Sequence, residues 1–210
     1  PPRQMAECRE LGITLCAGYG LTECANLTSG NCDTDKKPES MGHIYPEQQV
    51  KVVDGELWIK GDNVMKEYYK DPEHTAEVLE DGWFKTGDLV EFDDNDWIYI
   101  TGRIKNLIIL PNGENVSPEE IEELFYKQSL VKDCLVQEME MNGNTVIGVE
   151  IIPYMPELDG ASEEEIQNRL QETVNEVNKE LPPFKRVLKL KVRTEDFKRN
   201  GAMKILRNQA

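Results

Sequence analysis

The chain has 210 residues, with 24 lysines and arginines against 40 aspartates and glutamates, which gives a formal net charge of −16 at pH 7. This charge excludes ordinary nucleic-acid binding, because no basic stripe is available to displace counterions from phosphates. Hydrophobic residues make up 39% of the chain, enough to bury a core, and no apolar run of about 18 residues predicts a membrane span.

The first forty residues predict a helix, a short strand and a loop. The helix is predicted over residues 3–11 and the strand over residues 13–17, followed by a glycine-bounded turn at residues 18–20. Residues 26–40 are rich in Asn, Ser, Thr, Gly and Asp, which indicates a loop. The chain opens without Met, and we expect it to be part of a longer protein.

Residues 49–100 are mostly strand by their alternating apolar pattern. Residues 89–92 are predicted to pair with residues 97–100 across an acidic turn. One short helix interrupts the strands, with Asp71 as the N-cap and Pro72 at the first helical position.

After residue 103 strands alternate with helices. A strand is predicted at residues 107–110, and a hairpin at residues 134–152 turns at Asn-Gly-Asn. Capping boxes beginning at Ser117 and Ser162 each predict a helix start. The second helix carries an apolar face and ends before two prolines, and a last strand follows at residues 187–192. The apolar face comprises Ile166, Leu170, Val174, Val177 and Leu181.

The five cysteines indicate free thiols rather than a framework of bonds. Their number is odd and no C-x-x-C pair occurs, while the two histidines are not near any cysteine pair. We therefore expect reduced cysteines and a cytoplasmic location. The cysteines are Cys8, Cys16, Cys24, Cys32 and Cys134.

Two polar segments carry the residue types of a nucleotide site. After the first strand, Tyr19, Thr22 and Glu23 present a ring, a hydroxyl and a carboxylate, which suit a stacked base, a phosphate and its Mg²⁺. Asp88 follows a Thr-Gly turn and can accept from ribose hydroxyls. Each segment alone is more often an ordinary turn with a solvent-facing or self-bonded acid.

Two basic segments complete the set. Arg103, between strands, can pair with a ribose or a phosphate, although a lone arginine there is more often in a surface ion pair. Residues 198–204 form a basic cluster at the end of an acidic chain, either a solvated tail or an anion-facing loop.

Taken in order, these segments resemble the acyl-CoA synthetase/luciferase superfamily of adenylate-forming enzymes, most closely its long-chain fatty acid–CoA ligase branch. The resemblance covers nearly the whole chain. The matching motifs are Y-G-x-T-E at residues 19–23, G-E-L…V-M-x-x-Y-Y at 55–69, G-W-x-x-T-G-D at 82–88, G-R-x-K…G-E-N-V-x-P-x-E-I-E at 102–122, and the terminal lysine segment at 200–207.

The resemblance implies two domains of mixed α/β and α+β class. Residues 1–104 would be the incomplete C-terminal part of a large AMP-binding domain, with a strand-rich subdomain at 41–101, and residues 105–210 a small mobile α+β domain. Uncovered apolar faces in residues 1–40 would then permit self-association, so an oligomer is an expected outcome.

The resemblance also implies a two-step reaction, in which a carboxylate and ATP give acyl-AMP and pyrophosphate, and coenzyme A then takes the acyl group. Lys204 would be the catalytic lysine of the first step, and the small domain would turn about Lys105 to bring Gly113 toward the thiol. The remaining roles fall on the residues already singled out: Thr22 for the phosphates, Glu23 for Mg²⁺, Tyr19 and Gly20 beside the adenine, and Asp88 and Arg103 for the ribose.

The sequence departs from the family near its end and lacks one of its motifs. Met203 precedes the terminal lysine where relatives often have Gly, and Ile109 stands where some relatives have a further lysine. The family's phosphate loop would lie upstream of residue 1, so we expect the chain alone to be inactive. Two alternatives stay open: an enzyme that loads an acyl-carrier protein, and a non-catalytic acidic binding module.

Overall fold

The computed structural model describes residues 8, 10–13, 15–32, 37, 39–201 and 205–207. The chain forms two compact units, Pro1–Asn106 and Leu107–Ala210. Within the described residues both units mix sheets with helices, and none of these helices is long and apolar enough to cross a membrane. Most of the helix predicted over residues 3–11 falls outside the described residues.

The first unit opens with a small antiparallel sheet. Its strands are β1 (Ala17–Tyr19), β2 (Ser29–Asn31) and β3 (His43–Ile44), with β2 in the middle.

This sheet corrects two sequence predictions. The turn predicted at residues 18–20 is wrong, because Gly18 and Tyr19 continue the strand. The loop predicted over residues 26–40 contains β2, whose polar side chains are buried but hydrogen-bonded: Ser29 Oγ donates to the Met41 carbonyl at 2.8 Å, and Asn31 Nδ2 to the Ser40 carbonyl at 2.9 Å. Polar composition therefore concealed a strand whose hydrogen-bonding groups are satisfied internally.

A five-stranded antiparallel sheet forms the rest of the first unit. The long strand β7 pairs with β5, with β6 and with β8, so it lies at the centre. The acidic turn predicted after residue 92 is confirmed, since Phe92 pairs with Ile98 across it. The strands are β4 (Gln49–Val53), β5 (Glu56–Lys60), β6 (Leu79–Glu80), β7 (Trp83–Phe92) and β8 (Ile98–Arg103).

Helix α1 (Pro72–Val78) precedes β6 and begins as predicted, because Asp71 accepts a hydrogen bond from the His74 amide. One face of the large sheet buries the core of this unit. The fully or nearly fully buried apolar residues of that core are Cys24, Leu57, Ile59, Phe84, Val90 and Ile98.

The second unit is built on a long hairpin. Its turn at Asn142 and Gly143 has φ values of 53° and 77°, the left-handed conformation that Asn-Gly hairpin turns adopt, which confirms the predicted hairpin. A last strand joins in parallel. The strands are β9 (Ile108–Ile109), β10 (Asn115–Val116), β11 (Val131–Met141), β12 (Asn144–Pro153) and β13 (Lys189–Val192).

Two helices cover this sheet: α2 (Pro118–Tyr126) and α3 (Glu163–Glu180). Both helices begin where the sequence predicts, after Ser117 and Ser162. The capping box at Ser162 is confirmed, but Ser117 makes no side-chain cap hydrogen bond, so the box itself is wrong there. Ser117 Oγ donates to Glu119 at 3.0 Å, and Glu120, the expected reciprocal partner, pairs with Lys185 instead. The strand predicted at residues 107–110 shortens to β9.

Candidate active site

A buried carboxylate joins three strands of the first unit. Tyr19 on β1 donates its hydroxyl to Asp88 Oδ2 at 2.7 Å, although the two residues are 69 positions apart. Arg103 on β8 donates from Nε to Asp88 Oδ1 at 2.5 Å and from Nη2 to Oδ2 at 3.3 Å. Asp88 and Arg103 are direct partners in the β7–β8 register. The structure therefore brings together three of the residues that the sequence singled out.

The local backbone explains why Asp88 points where it does. Gly87 has a φ of 69°, and the β5–β7 pairing shifts register beside it. Thr86 Oγ1 donates to the Leu57 carbonyl at 2.7 Å and accepts from the Asp88 amide at 3.1 Å. The Thr-Gly turn is thus fixed to β5, and it places a carboxylate only 3% exposed against the Arg103 guanidinium.

The ion pair and the tyrosine saturate most of the Asp88 carboxylate. It accepts three hydrogen bonds from two side chains, out of about four lone-pair positions. Burial, and then the Asp88 charge, raise the pKa of Tyr19 well above its usual range, so the hydroxyl stays protonated and donates. A ribose hydroxyl reaching Asp88 would compete with the Tyr19 hydroxyl for Oδ2.

The segment after β1 forms a short 3₁₀ turn, Thr22–Cys24. Thr22 is exposed, and Glu23 is half-buried and accepts from the Tyr68 hydroxyl at 2.9 Å. The Met65 amide donates to the Glu23 carbonyl at 2.7 Å. The turn is therefore held by the segment leading to α1, and Thr22 is presented outward.

Tyr68 has no role in the sequence prediction, although it lies inside one of the quoted motifs. Burial, together with the Glu23 hydrogen bond and charge, raises the pKa of Tyr68 to about 12. It orients the carboxylate that the sequence assigned to Mg²⁺. The V-M-x-x-Y-Y motif is the sequence signal that could have pointed to Tyr68. A motif by itself, however, does not reveal which residue its tyrosine contacts.

The described residues contain no group of three or more His, Cys, Asp or Glu side chains that could hold a metal ion. A Mg²⁺ ion bound with ATP needs only one or two protein carboxylates, since phosphates and water complete its octahedron. A single oriented carboxylate at Glu23 fits that requirement.

Glycines shape the two loops that the sequence prediction names. A Cβ at Gly20 would overlap the backbone carbonyl of Asn26, so only glycine fits there. Gly113 meets no crowding but has a φ of 85°, which favours glycine for conformational reasons. Its amide donates to the Leu110 carbonyl at 2.8 Å.

The two remaining site residues lie near the unit boundary and near the chain end. Lys105 is exposed, within the 3₁₀ turn Ile104–Asn106 that ends the first unit. Lys204 lies outside the described residues, so its predicted role rests on the sequence.

Comparison with known proteins identifies the family. Residues 105–210 match the family described as AMP-binding enzyme C-terminal domain, and residues 1–69 match the family described as AMP-binding enzyme. The chain therefore belongs to the adenylate-forming AMP-binding enzymes, as the sequence motifs predicted.

Individual relatives agree with this assignment. The chain is 39% identical to long-chain-fatty-acid–CoA ligase of Salmonella typhimurium over 134 residues, which are 58% of this chain and 24% of that protein. It is 33% identical to 4-coumarate–CoA ligase-like 4 of Oryza sativa over 210 residues, 93% of this chain and 36% of that protein.

A solved structure confirms the fold class. O-succinylbenzoate coenzyme A synthetase of Bacillus subtilis, in complex with ATP and magnesium ion, superposes with a TM-score of 0.79 at 28% identity. The match covers 100% of this chain and 44% of that structure. The chain thus spans less than half the length of these relatives.

Proposed function

We propose that the chain is the C-terminal portion of an ATP-dependent acid–thiol ligase, which converts a carboxylate to an acyl-adenylate and transfers the acyl group to coenzyme A. The observation that carries this proposal is the convergence of Tyr19, Asp88 and Arg103 at a buried carboxylate, in a chain of the AMP-binding family. The relatives' names support a coenzyme A acceptor.

Each residue then has a physical task in the first step. Asp88 accepts from the ribose hydroxyls, and Arg103 holds the carboxylate in place. Thr22 donates to the phosphates, and Glu23 holds the Mg²⁺, which neutralises phosphate charge. Lys204 places a cation where two anions meet, and a preorganised group of this kind is worth about 3–4 kcal/mol in a water-poor site.

The second step needs a different arrangement of the same chain. We propose that the backbone turns at Lys105, which withdraws Lys204 and brings the loop at Gly113 toward the thiol. The exposure of Ile104 and Lys105 in this 3₁₀ turn supports the hinge, because neither side chain is buried in a core that would resist a change of φ and ψ there.

The carboxylate substrate that we propose is a long-chain fatty acid, because several of the relatives are long-chain-fatty-acid–CoA ligases, at 36–40% identity over the matched residues. All five cysteines carry free thiols, which supports a reducing compartment such as the cytoplasm.

The chain alone would not adenylate, because the relatives carry more than half of their length outside the matched residues.

The deciding experiment measures pyrophosphate release by the protein with its upstream region, using medium- and long-chain fatty acids with and without coenzyme A. We expect release with a fatty acid, completed to acyl-CoA when coenzyme A is present. Product that forms only on an acyl-carrier protein would favour the carrier-loading alternative, and release by the 210-residue chain alone would contradict its proposed inactivity.

Substitution of the lysine tests the assigned chemistry. Lys204→Ala should lower pyrophosphate release by at least about 100-fold, with stability nearly unchanged, because it removes a cation needed only as charge develops. Lys179→Ala, which removes an exposed lysine paired with Glu176, is the matched control and should leave the rate unchanged. Equal rates for the two variants in an active protein would contradict the role assigned to Lys204, whereas no release by the unsubstituted protein or either variant would favour the non-catalytic binding module.

A further inference from the structure

The two described stretches that flank residues 202–204 are tied to each other. Arg199 and Ile205 form an isolated antiparallel bridge, and the Leu206 amide donates to the Lys198 carbonyl at 2.9 Å. Between Arg199 and Ile205 the chain has only five residues, and Lys204 directly precedes Ile205. Lys204 is therefore one peptide bond away from a residue whose backbone this bridge holds.

Each flank is also tied to the second unit's sheet by an arginine. Arg199 forms an ion pair with Asp133, whose side chain is 11% exposed. Arg207 donates from Nη2 to Glu122 Oε2 at 2.8 Å and from Nη1 to Glu122 Oε1 at 3.0 Å. Glu119 on α2 accepts a further hydrogen bond from Arg207 Nη2 at 3.2 Å.

Glu122 is the centre of this second attachment. Its side chain is 11% exposed, and its Oε1 also accepts from the Val136 amide on β11 at 2.8 Å. Arg207 Nη1 in turn donates to the Val136 carbonyl at 3.0 Å. One carboxylate thus fixes the terminal segment to α2 and β11 through a forked, two-pronged contact, which restrains direction as well as distance.

We propose that Arg207 and Glu122 are positioning residues that hold Lys204 for the adenylation step, with the Arg199–Asp133 pair holding the other flank. This inference rests on the proposed function. A lysine side chain is long and flexible, so its ammonium group is placed only as well as its backbone is, and a displacement of about 1 Å can cost about 100-fold in rate. A buried ion pair contributes little net stability compared with an apolar contact, which leaves geometric restraint as its distinguishing effect here.

The test separates the two half-reactions at pH 8. Burial raises the pKa of Glu122 to about 7, against the opposing hydrogen bonds and charge of Arg207, so the carboxylate is mostly ionised at that pH. In the protein with its upstream region, Arg207→Ala should lower pyrophosphate release by about 10- to 100-fold. Transfer from a supplied acyl-adenylate to coenzyme A should stay within about threefold, because Lys204 is withdrawn in that step.

Further variants guard against a simple folding defect. Glu122→Gln keeps the shape of the side chain and should lower only adenylation. Arg207→Lys keeps the charge but loses the forked contact. Its rate of pyrophosphate release should lie between that of Arg207→Ala and that of the unsubstituted protein. Arg169→Ala removes an exposed arginine that donates to the Glu157 carbonyl, and should leave both half-reactions unchanged.

A double substitution shows whether Arg207 acts through the lysine. Arg207→Ala should cause no further loss of adenylation in a Lys204→Ala background, because the positioned group is already absent. Three outcomes would overturn the positioning role alone: additive losses in the double variant, equal losses of Arg207→Ala in both half-reactions, and unchanged adenylation by Arg207→Ala in an active protein. An unsubstituted protein that releases no pyrophosphate would overturn the proposed function, and this role with it.

Discussion

The Asp88 carboxylate is held by two neighbours that have different consequences for a nucleotide. Arg103 orients the carboxylate by a forked contact, whereas the Tyr19 hydroxyl occupies part of the same acceptor surface. A ribose would offer hydroxyls of the same kind as that of Tyr19. The tyrosine hydroxyl therefore satisfies a buried oxygen that would otherwise lack one hydrogen bond, and under the proposed function it is the contact that a ribose hydroxyl would replace.

This arrangement predicts that two substitutions change the affinity for ATP differently. The affinity is measured in the protein with its upstream region. Asp88→Asn should weaken ATP binding by about tenfold or more, because hydrogen bonds to a charged group contribute about 1.5–3 kcal/mol. Tyr19→Phe keeps the ring and removes one of the two hydrogen bonds to Oδ2, so affinity should stay within about threefold or increase. Isothermal titration decides between them, and equal weakening by both variants would contradict the replacement of the tyrosine hydroxyl by ribose.

The sequence singled out residues that the structure brings together, but it did not predict how they meet. The motifs singled out Tyr19, Asp88 and Arg103, but no periodicity relates side chains 69 positions apart. The Tyr68–Glu23 contact was missed for the same reason. Contacts of this kind depend on the pairing of strands, which a single sequence specifies only through the folded core.

Elements whose ends are set by local chemistry were predicted well. The Asn-Gly hairpin turn, the Asp71 cap and the Ser162 box each depend on residues within a few positions of one another. At Ser117 the helix also begins as predicted, but the reciprocal bonds of the box do not form: Ser117 Oγ donates to Glu119, and Glu120 pairs with Lys185, 65 positions away.

The hydrogen bonds of Asp93 in the β7–β8 turn predict how the stability of the fold changes at low pH. Asp93 accepts from Lys37 Nζ at 2.9 Å, from the Asn95 amide at 2.9 Å and from the Trp97 amide at 3.1 Å. The Lys37 hydrogen bond, with those of the two amides, lowers the pKa of Asp93 to about 2 from an ordinary 3.8. Because the folded-state value is the lower one, the ionised carboxylate stabilises the fold above about pH 4, and this contribution is lost as the pH falls through about 2.

The measurement compares the free energy of unfolding of the parent chain with that of Asp93→Asn, from denaturant titrations between pH 7 and pH 2. Asparagine keeps an acceptor oxygen and removes the charge, so the difference should be constant above about pH 4 and shrink below it. Asp94→Asn removes a charge from the exposed neighbouring position and is the control. A difference for Asp93→Asn that does not change with pH would show that its charge contributes nothing to the fold.

On the scale of the whole molecule, each unit has its own apolar core. In the second unit, both faces of the hairpin sheet are covered. On one face, Phe197 forms a small cluster with Leu135 and Ile152. The larger cluster on the other face includes Ile121 and Phe125 of α2. The change from strands to alternating strands and helices after residue 103 is visible in the sequence because the capping signals and the apolar face of α3 occur there. The packing partners within each core are not visible there, since several apolar faces have similar patterns.

The buried core of the second unit predicts that residues 107–210 fold by themselves. Expressed alone, they should unfold in one cooperative denaturant transition, since about 100 residues with a buried core suffice for a domain. Ile121→Ala should lower the free energy of unfolding of this fragment by about 2–5 kcal/mol, because the side chain is fully buried. Leu188→Ala removes an apolar side chain that is 58% exposed, and should change the stability by less than about 0.5 kcal/mol. A gradual transition, or equal losses for the two variants, would show that this core needs residues outside the unit to be specifically packed.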